Sequence, residues 1–109
     1  MSDITRLTQL LTAFRDERDW AQFHNPKDLA VALNIEAGEL LEAFLWKTPE
    51  EADPARVREE LADVFAYALL LADRMGFSVS EIVEEKIARN AAKYAVDKAR
   101  GTAAKYTEL

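Results

Sequence analysis

No segment of this chain alternates apolar and polar residues in the strict period of a half-buried strand, and its apolar positions recur instead at helical spacing. The breaks between the helical stretches are well marked. Asn25-Pro26 and Asp53-Pro54 each join an N-cap residue to a proline at the first helical position, where the missing N–H costs no hydrogen bond. Ser78, with Glu81 three residues on, has the form of a capping box, and Gly76 stands where a helix C-terminus takes a left-handed residue. These marks predict helices near 3–20, 26–47, 55–75 and 79–95, with a looser tail at 98–109. Between the second and third helices lies a loop, 48–53, in which Pro49 starts a short turn. The expected fold is all-α, a four-helix bundle forming a single domain over residues 1–109.

The third helix departs from a simple amphipathic pattern. From Leu61 to Ala72 every residue is apolar or aromatic except Asp63. A helix that is apolar on all sides is buried on all sides. One copy of so short a chain has few neighbours to offer it, so an oligomer with this helix near its centre is expected. Asp63 is then expected in a buried position, where a carboxylate without a partner costs several kcal/mol.

Residues three or four apart share a helix face. Glu36 and Glu39 fall on the stripe of Leu29, Ala32, Leu33, Leu40 and Ala43, while Glu60 and Asp63 share a face with Tyr67 and Leu70. Glu81, Glu84 and Glu85 have similar spacing but lie beside Ser78 and Ala88, on a face that can stay wet. Helices joined by a short connection pack as antiparallel neighbours, which brings Glu36 and Glu39 opposite Glu60 and Asp63. Four carboxylates in one partly apolar cleft repel each other unless a counter-charge joins them. A hard divalent cation with oxygen ligands is the natural one, and Mg²⁺ keeps positions open for water and phosphate. The plainer account is surface acids, or ion pairs with Arg56, Arg58 or Arg74. A carboxylate-bridged di-iron bundle is excluded, because it needs two Glu-x-x-His motifs and His24 is the one histidine.

Composition narrows the partners. The 109 residues hold 14 basic and 20 acidic side chains, a formal charge of −6, which disfavours a nucleic-acid backbone or an anionic membrane. The absence of cysteine removes disulfide scaffolds, thiolate catalysis and cysteine-ligated metals. No apolar stretch has the length of a membrane span and the N-terminus lacks the pattern of a signal peptide, so a cytoplasmic protein is expected.

Glu36-Ala37-Gly38-Glu39, twenty intervening residues and then Glu60-Leu61-Ala62-Asp63 resembles the metal motif of the MazG-type all-α nucleotide pyrophosphohydrolases. Three further segments resemble the animal-type dCTP pyrophosphatase branch of that family. They are Glu17-Arg18-Asp19-Trp20-Ala21-Gln22-Phe23-His24, Phe44-Leu45-Trp46-Lys47 and Lys105-Tyr106-Thr107-Glu108-Leu109. The resemblance covers nearly the whole chain. It implies Mg²⁺-dependent hydrolysis of a nucleoside triphosphate to the monophosphate and pyrophosphate, with Mn²⁺ as the other candidate metal. dCTP or a modified dCTP is the implied substrate, and cleansing of the nucleotide pool the implied role. A homotetramer is the implied assembly. Broader triphosphate specificity and a non-catalytic helical oligomerisation module are the alternatives.

The resemblance assigns Glu36, Glu39, Glu60 and Asp63 to the metal, with Glu39 the candidate for taking a proton from the attacking water. It assigns Trp20, Phe23, His24 and Trp46 to the base, and Tyr67 to the space beside the sugar. Lys86, Asn90 and Lys93, on one face of the fourth helix, are assigned with Tyr94 to phosphate, and Lys105 and Tyr106 to closure over the substrate. The bland readings are core tryptophans and tyrosine, a helix-flanking histidine, a solvated basic stripe and a frayed tail. Two positions depart from the animal enzymes: Leu11 stands in place of a histidine and Ala95 in place of a proline. Both weaken a transfer of cytosine specificity, and neither touches the metal motif.

Overall fold

The helix starts lie where the capping residues put them. In a computed structural model that describes residues 1–109, Asn25 Oδ1 accepts from the Asp28 N–H (2.9 Å), and Asp53 Oδ1 accepts from the Ala55 N–H (3.0 Å). Ser78 Oγ accepts from the Glu81 N–H (3.3 Å). The helices are α1 (Asp3–Glu17), α2 (Pro26–Glu42), α3 (Pro54–Met75), α4 (Val79–Lys93) and the short α5 (Val96–Ala99), and there is no strand. Single 3₁₀ turns occur at Ala21–Phe23, Pro49–Glu51 and Tyr106–Glu108, the second of them begun by Pro49 as expected. Gly76 closes α3 at φ 73°, and the Phe77 N–H reaches back to the Ala72 carbonyl (2.9 Å). Only glycine takes that backbone conformation without steric cost.

Two helices end earlier than their apolar pattern suggests. α1 stops at Glu17, where Asp19 adopts φ 55° and the Trp20 N–H turns back to the Arg15 carbonyl (3.1 Å). α2 stops at Glu42, and Phe44 and Leu45 continue as i→i−3 turns that lead to Trp46 at φ 60°. At both places a non-glycine residue fills the left-handed position that normally carries a glycine signal. The fourth helix ends at Lys93, and the tail after it winds into α5 and the last 3₁₀ turn.

The chain divides into two compact units, Met1–Phe77 and Ser78–Leu109. In the first, α2 runs antiparallel along α3: Glu42 pairs with Arg56 (3.8 Å), while Glu36 lies beside Glu60 and Asp63. α1 lies more lightly against α3. The buried core of this unit is small: Leu29, Ala43, Ala52, Leu70 and Ala72. The expectation that α3 is buried on all sides is corrected within one copy of the chain, since Leu61 and Phe65 are exposed. Asp63 is exposed as well, not buried as its apolar flanks suggest. α2 and α1 cover two faces of α3 and leave the rest bare. No helix is long and apolar enough to cross a membrane.

Candidate active site

Glu36 and Glu39 project from the middle of α2, where the helical repeat carries them on the same stripe as buried Leu29 and Ala43. Glu60 and Asp63 project from α3 toward them. One carboxylate oxygen each from Glu36, Glu60 and Asp63 lie within 4.8 Å of one another. Glu39 sits within hydrogen-bonding reach of both Glu36 and Glu60. None of the four forms an ion pair; Arg56, the cation that acts on Glu60, is paired with Glu42. Glu36 Oε2 and Glu60 Oε2 are buried without any hydrogen-bond partner.

The electrostatics follow from this crowding. Burial first, then Glu39 and the charges of Asp63 and Glu60, pushes the Glu36 carboxyl up to about 7. Burial and Glu39 also raise Glu60, against the pull of Arg56. Buried polar atoms are almost always satisfied, so two orphaned oxygens on carboxylates of an all-oxygen cluster mark a place for a cation. The donor set, carboxylates alone, is that of a hard divalent ion and suits neither a soft nor a thiolate-bound metal. Glu81, Glu84 and Glu85 are all exposed and make no such cluster.

A cavity of about 280 Å³ lies between α1 and α3, with Asp63 the one clustered carboxylate on its wall. It gathers four of the residues expected at a site, Trp20, His24, Asp63 and Tyr67. Trp20 stands edge-on to Phe14, with ring centroids 5.8 Å apart. His24 Nδ1 is buried without a partner. The Tyr67 phenol is raised by burial and then by the charges of Glu36 and Asp63, which places it next to the cluster.

The family model for the MazG-like family matches residues 31–109. The chain belongs to the MazG-like family. It is similar to dCTP pyrophosphatase 1 of mouse and of human, each 41% identical over 117 aligned positions that take in all of this chain and 67% of theirs. It is also similar to the crystal structure of a pyrophosphatase from Archaeoglobus fulgidus, at 37% identity and a TM-score of 0.81, over 87% of this chain and 94% of that one. The resemblance carried by the two Glu-x-x-acid segments is thus borne out.

The remaining expected residues of this MazG-like chain fall in three places. Phe23 and Trp46 do not line the cavity, and Trp46 is 94% exposed on its left-handed backbone. In the second unit, Lys93 Nζ lies 4.9 Å from the Tyr106 ring centroid, and the Tyr94 and Tyr106 rings meet edge to face at 6.0 Å. The tail is therefore folded onto the end of α4 within that unit. Lys86 and Asn90 stand exposed farther up α4, and Lys105 precedes the last 3₁₀ turn. Sequence reasoning missed Phe14 and Arg15 as cavity residues and noted Leu11 only as a departure. The available signal was spacing: Leu7, Leu10, Leu11 and Phe14 share the side of α1 turned toward α3, and Arg15 stands four residues after Leu11.

Proposed function

We propose that the chain hydrolyses deoxynucleoside triphosphates, dCTP or a modified dCTP foremost, to the monophosphate and pyrophosphate. The observation that carries this reading is the cluster of Glu36, Glu60 and Asp63 oxygens, with Glu39 beside it, and the cavity that Asp63 shares with Trp20, His24 and Tyr67. Glu36, Glu39, Glu60 and Asp63 hold Mg²⁺, with Mn²⁺ as a substitute. A bound divalent ion of this kind neutralises phosphate charge and acidifies water. Glu39, in reach of both Glu36 and Glu60, takes the proton of the water whose oxygen adds to the α-phosphorus as the bond to pyrophosphate breaks. Trp20 stacks on the base, with His24 at its edge, and Tyr67 fills the space beside the sugar. By the resemblance, Phe23 and Trp46, which lie outside this cavity, extend the base site, Lys86, Asn90, Lys93 and Tyr94 contact phosphate, and Lys105 and Tyr106 close over the substrate. The setting is cytoplasmic cleansing of the nucleotide pool.

The test is incubation with Mg²⁺ and a panel of deoxynucleoside triphosphates, with products resolved by anion exchange. Monophosphate with pyrophosphate is the expected result. Diphosphate with orthophosphate, or no product, overturns it and favours a non-catalytic helical module.

The active chain is proposed to be a homotetramer, a single domain per copy built as a four-helix bundle. An apolar groove between α1 and α3, lined by Leu7, Leu10, Phe14, Phe65 and Leu69, faces solvent in one copy, with Leu10 57% and Phe65 61% exposed. A contiguous apolar face of this kind is the mark of an interface. Light scattering is expected to give four times 12.3 kDa, and Phe65→Asp to lower the mass. A monomeric mass for the parent chain overturns the assembly.

A further inference from the structure

We infer that Arg15 reads the base: its guanidinium selects cytosine by donating two parallel hydrogen bonds to the adjacent N3 and O2 acceptors of the ring. The inference rests on the reading of the chain as a triphosphate hydrolase and assigns a residue to its specificity.

Arg15 reaches the wall of the cavity that holds Trp20 and His24, and only 18% of its side chain is exposed. Its Nε donates to Asp16 Oδ1 at 2.8 Å, which fixes the plane of the guanidinium. Neither terminal nitrogen has a hydrogen-bond partner in the chain. A guanidinium held at Nε presents its two terminal N–H groups as a rigid fork, the geometry of bidentate recognition.

Arg15 lines the cavity, and none of the clustered carboxylates is among the charges that act on it. Asp16 and Asp73 are the acids that act on it, and Asp73 is ten residues past Asp63 on α3, about 15 Å along the helix. None of the four clustered carboxylates pairs with Arg15. A triphosphate anchored at the carboxylates directs its base, not its phosphates, toward Arg15, past the ring of Trp20.

Two parallel donors discriminate among bases. Cytosine sets two acceptors, N3 and O2, side by side on its pairing edge. Thymine and uracil carry a hydrogen on N3, so donor meets donor and a buried N–H loses its partner. Adenine alternates donor and acceptor on the same edge. Guanine offers an adjacent pair, O6 and N7, only on the other edge of a larger ring system.

The experiment compares kcat/KM for dCTP, dTTP and dGTP in the parent chain, Arg15→Ala and Arg15→Lys. Lysine keeps the charge and can still pair with Asp16, so it retains any structural value of the ion pair while losing the fork. Both variants are expected to lower the dCTP-to-dTTP ratio by about tenfold to a hundredfold, chiefly through KM for dCTP. Loss of all three activities by one common factor overturns the assignment, as does a ratio kept by Arg15→Lys or a selective loss of dGTP cleavage. A parent chain that cleaves no triphosphate removes this inference together with the reading it rests on. An active parent whose ratio is unmoved removes Arg15 alone.

Discussion

An Asp63→Asn variant keeps its helices and its mass, yet cleaves dCTP about a hundredfold to a thousandfold more slowly than the parent chain. The two halves of this result have separate causes. Asp63 is exposed, makes no hydrogen bond or ion pair from its side chain, and caps no helix, so the isosteric amide removes nothing that holds α3 in place. Its carboxylate does lie among the oxygens of Glu36 and Glu60, and its charge is one of those that raise Glu36. The amide keeps one oxygen but loses the negative charge, which weakens the hold of the cluster on a divalent cation. Steady-state kinetics alongside circular dichroism and light scattering check both halves. A variant that unfolds shows Asp63 to be structural, and one with full turnover shows that the other three carboxylates suffice.

The exposure of Asp63 also marks where the sequence was hard to read. The meeting of Glu36 and Glu39 with Glu60 and Asp63 was legible because each pair sits at three-residue spacing on an apolar stripe and a short connection joins the helices. The caps at Asn25, Asp53 and Gly76 were legible because they act through bonds only two to five residues long. The burial of the 61–72 run was not, because it depends on which surfaces meet, and one copy of the chain covers only part of α3. The early ends of α1 and α2 were hidden because Asp19 and Trp46 adopt a conformation that sequence patterns associate with glycine. Arg15 was hidden for another reason. An arginine next to an aspartate reads as an ordinary surface pair, and nothing local says that Arg15 lines a cavity.

In the absence of divalent metal, the protein is expected to melt roughly 5–10 °C lower at about pH 8 than at about pH 5, and millimolar Mg²⁺ is expected to recover most of the difference. The sign follows from Glu36. Its carboxyl titrates at about 7 in the folded chain against an ordinary value of 4.5, so the folded state holds a proton that the unfolded state has released. The stability contributed by the protonated group is complete below the unfolded value and is lost as the pH rises through about 7. Glu60, raised in the same direction, adds to the loss. A divalent ion competes with these protons for the same oxygens, so its stabilising effect is small in acid and large once the carboxylates are ionised. Glu36→Gln removes the group that titrates, and its melting temperature is expected to vary less with pH and to respond less to Mg²⁺. Scanning fluorimetry of both proteins across this pH range, with and without the metal, checks all three statements. A parent chain whose metal-free stability rises toward pH 8 contradicts the crowding of the four carboxylates. One whose stability falls as expected but ignores Mg²⁺ keeps the crowding and rejects the metal.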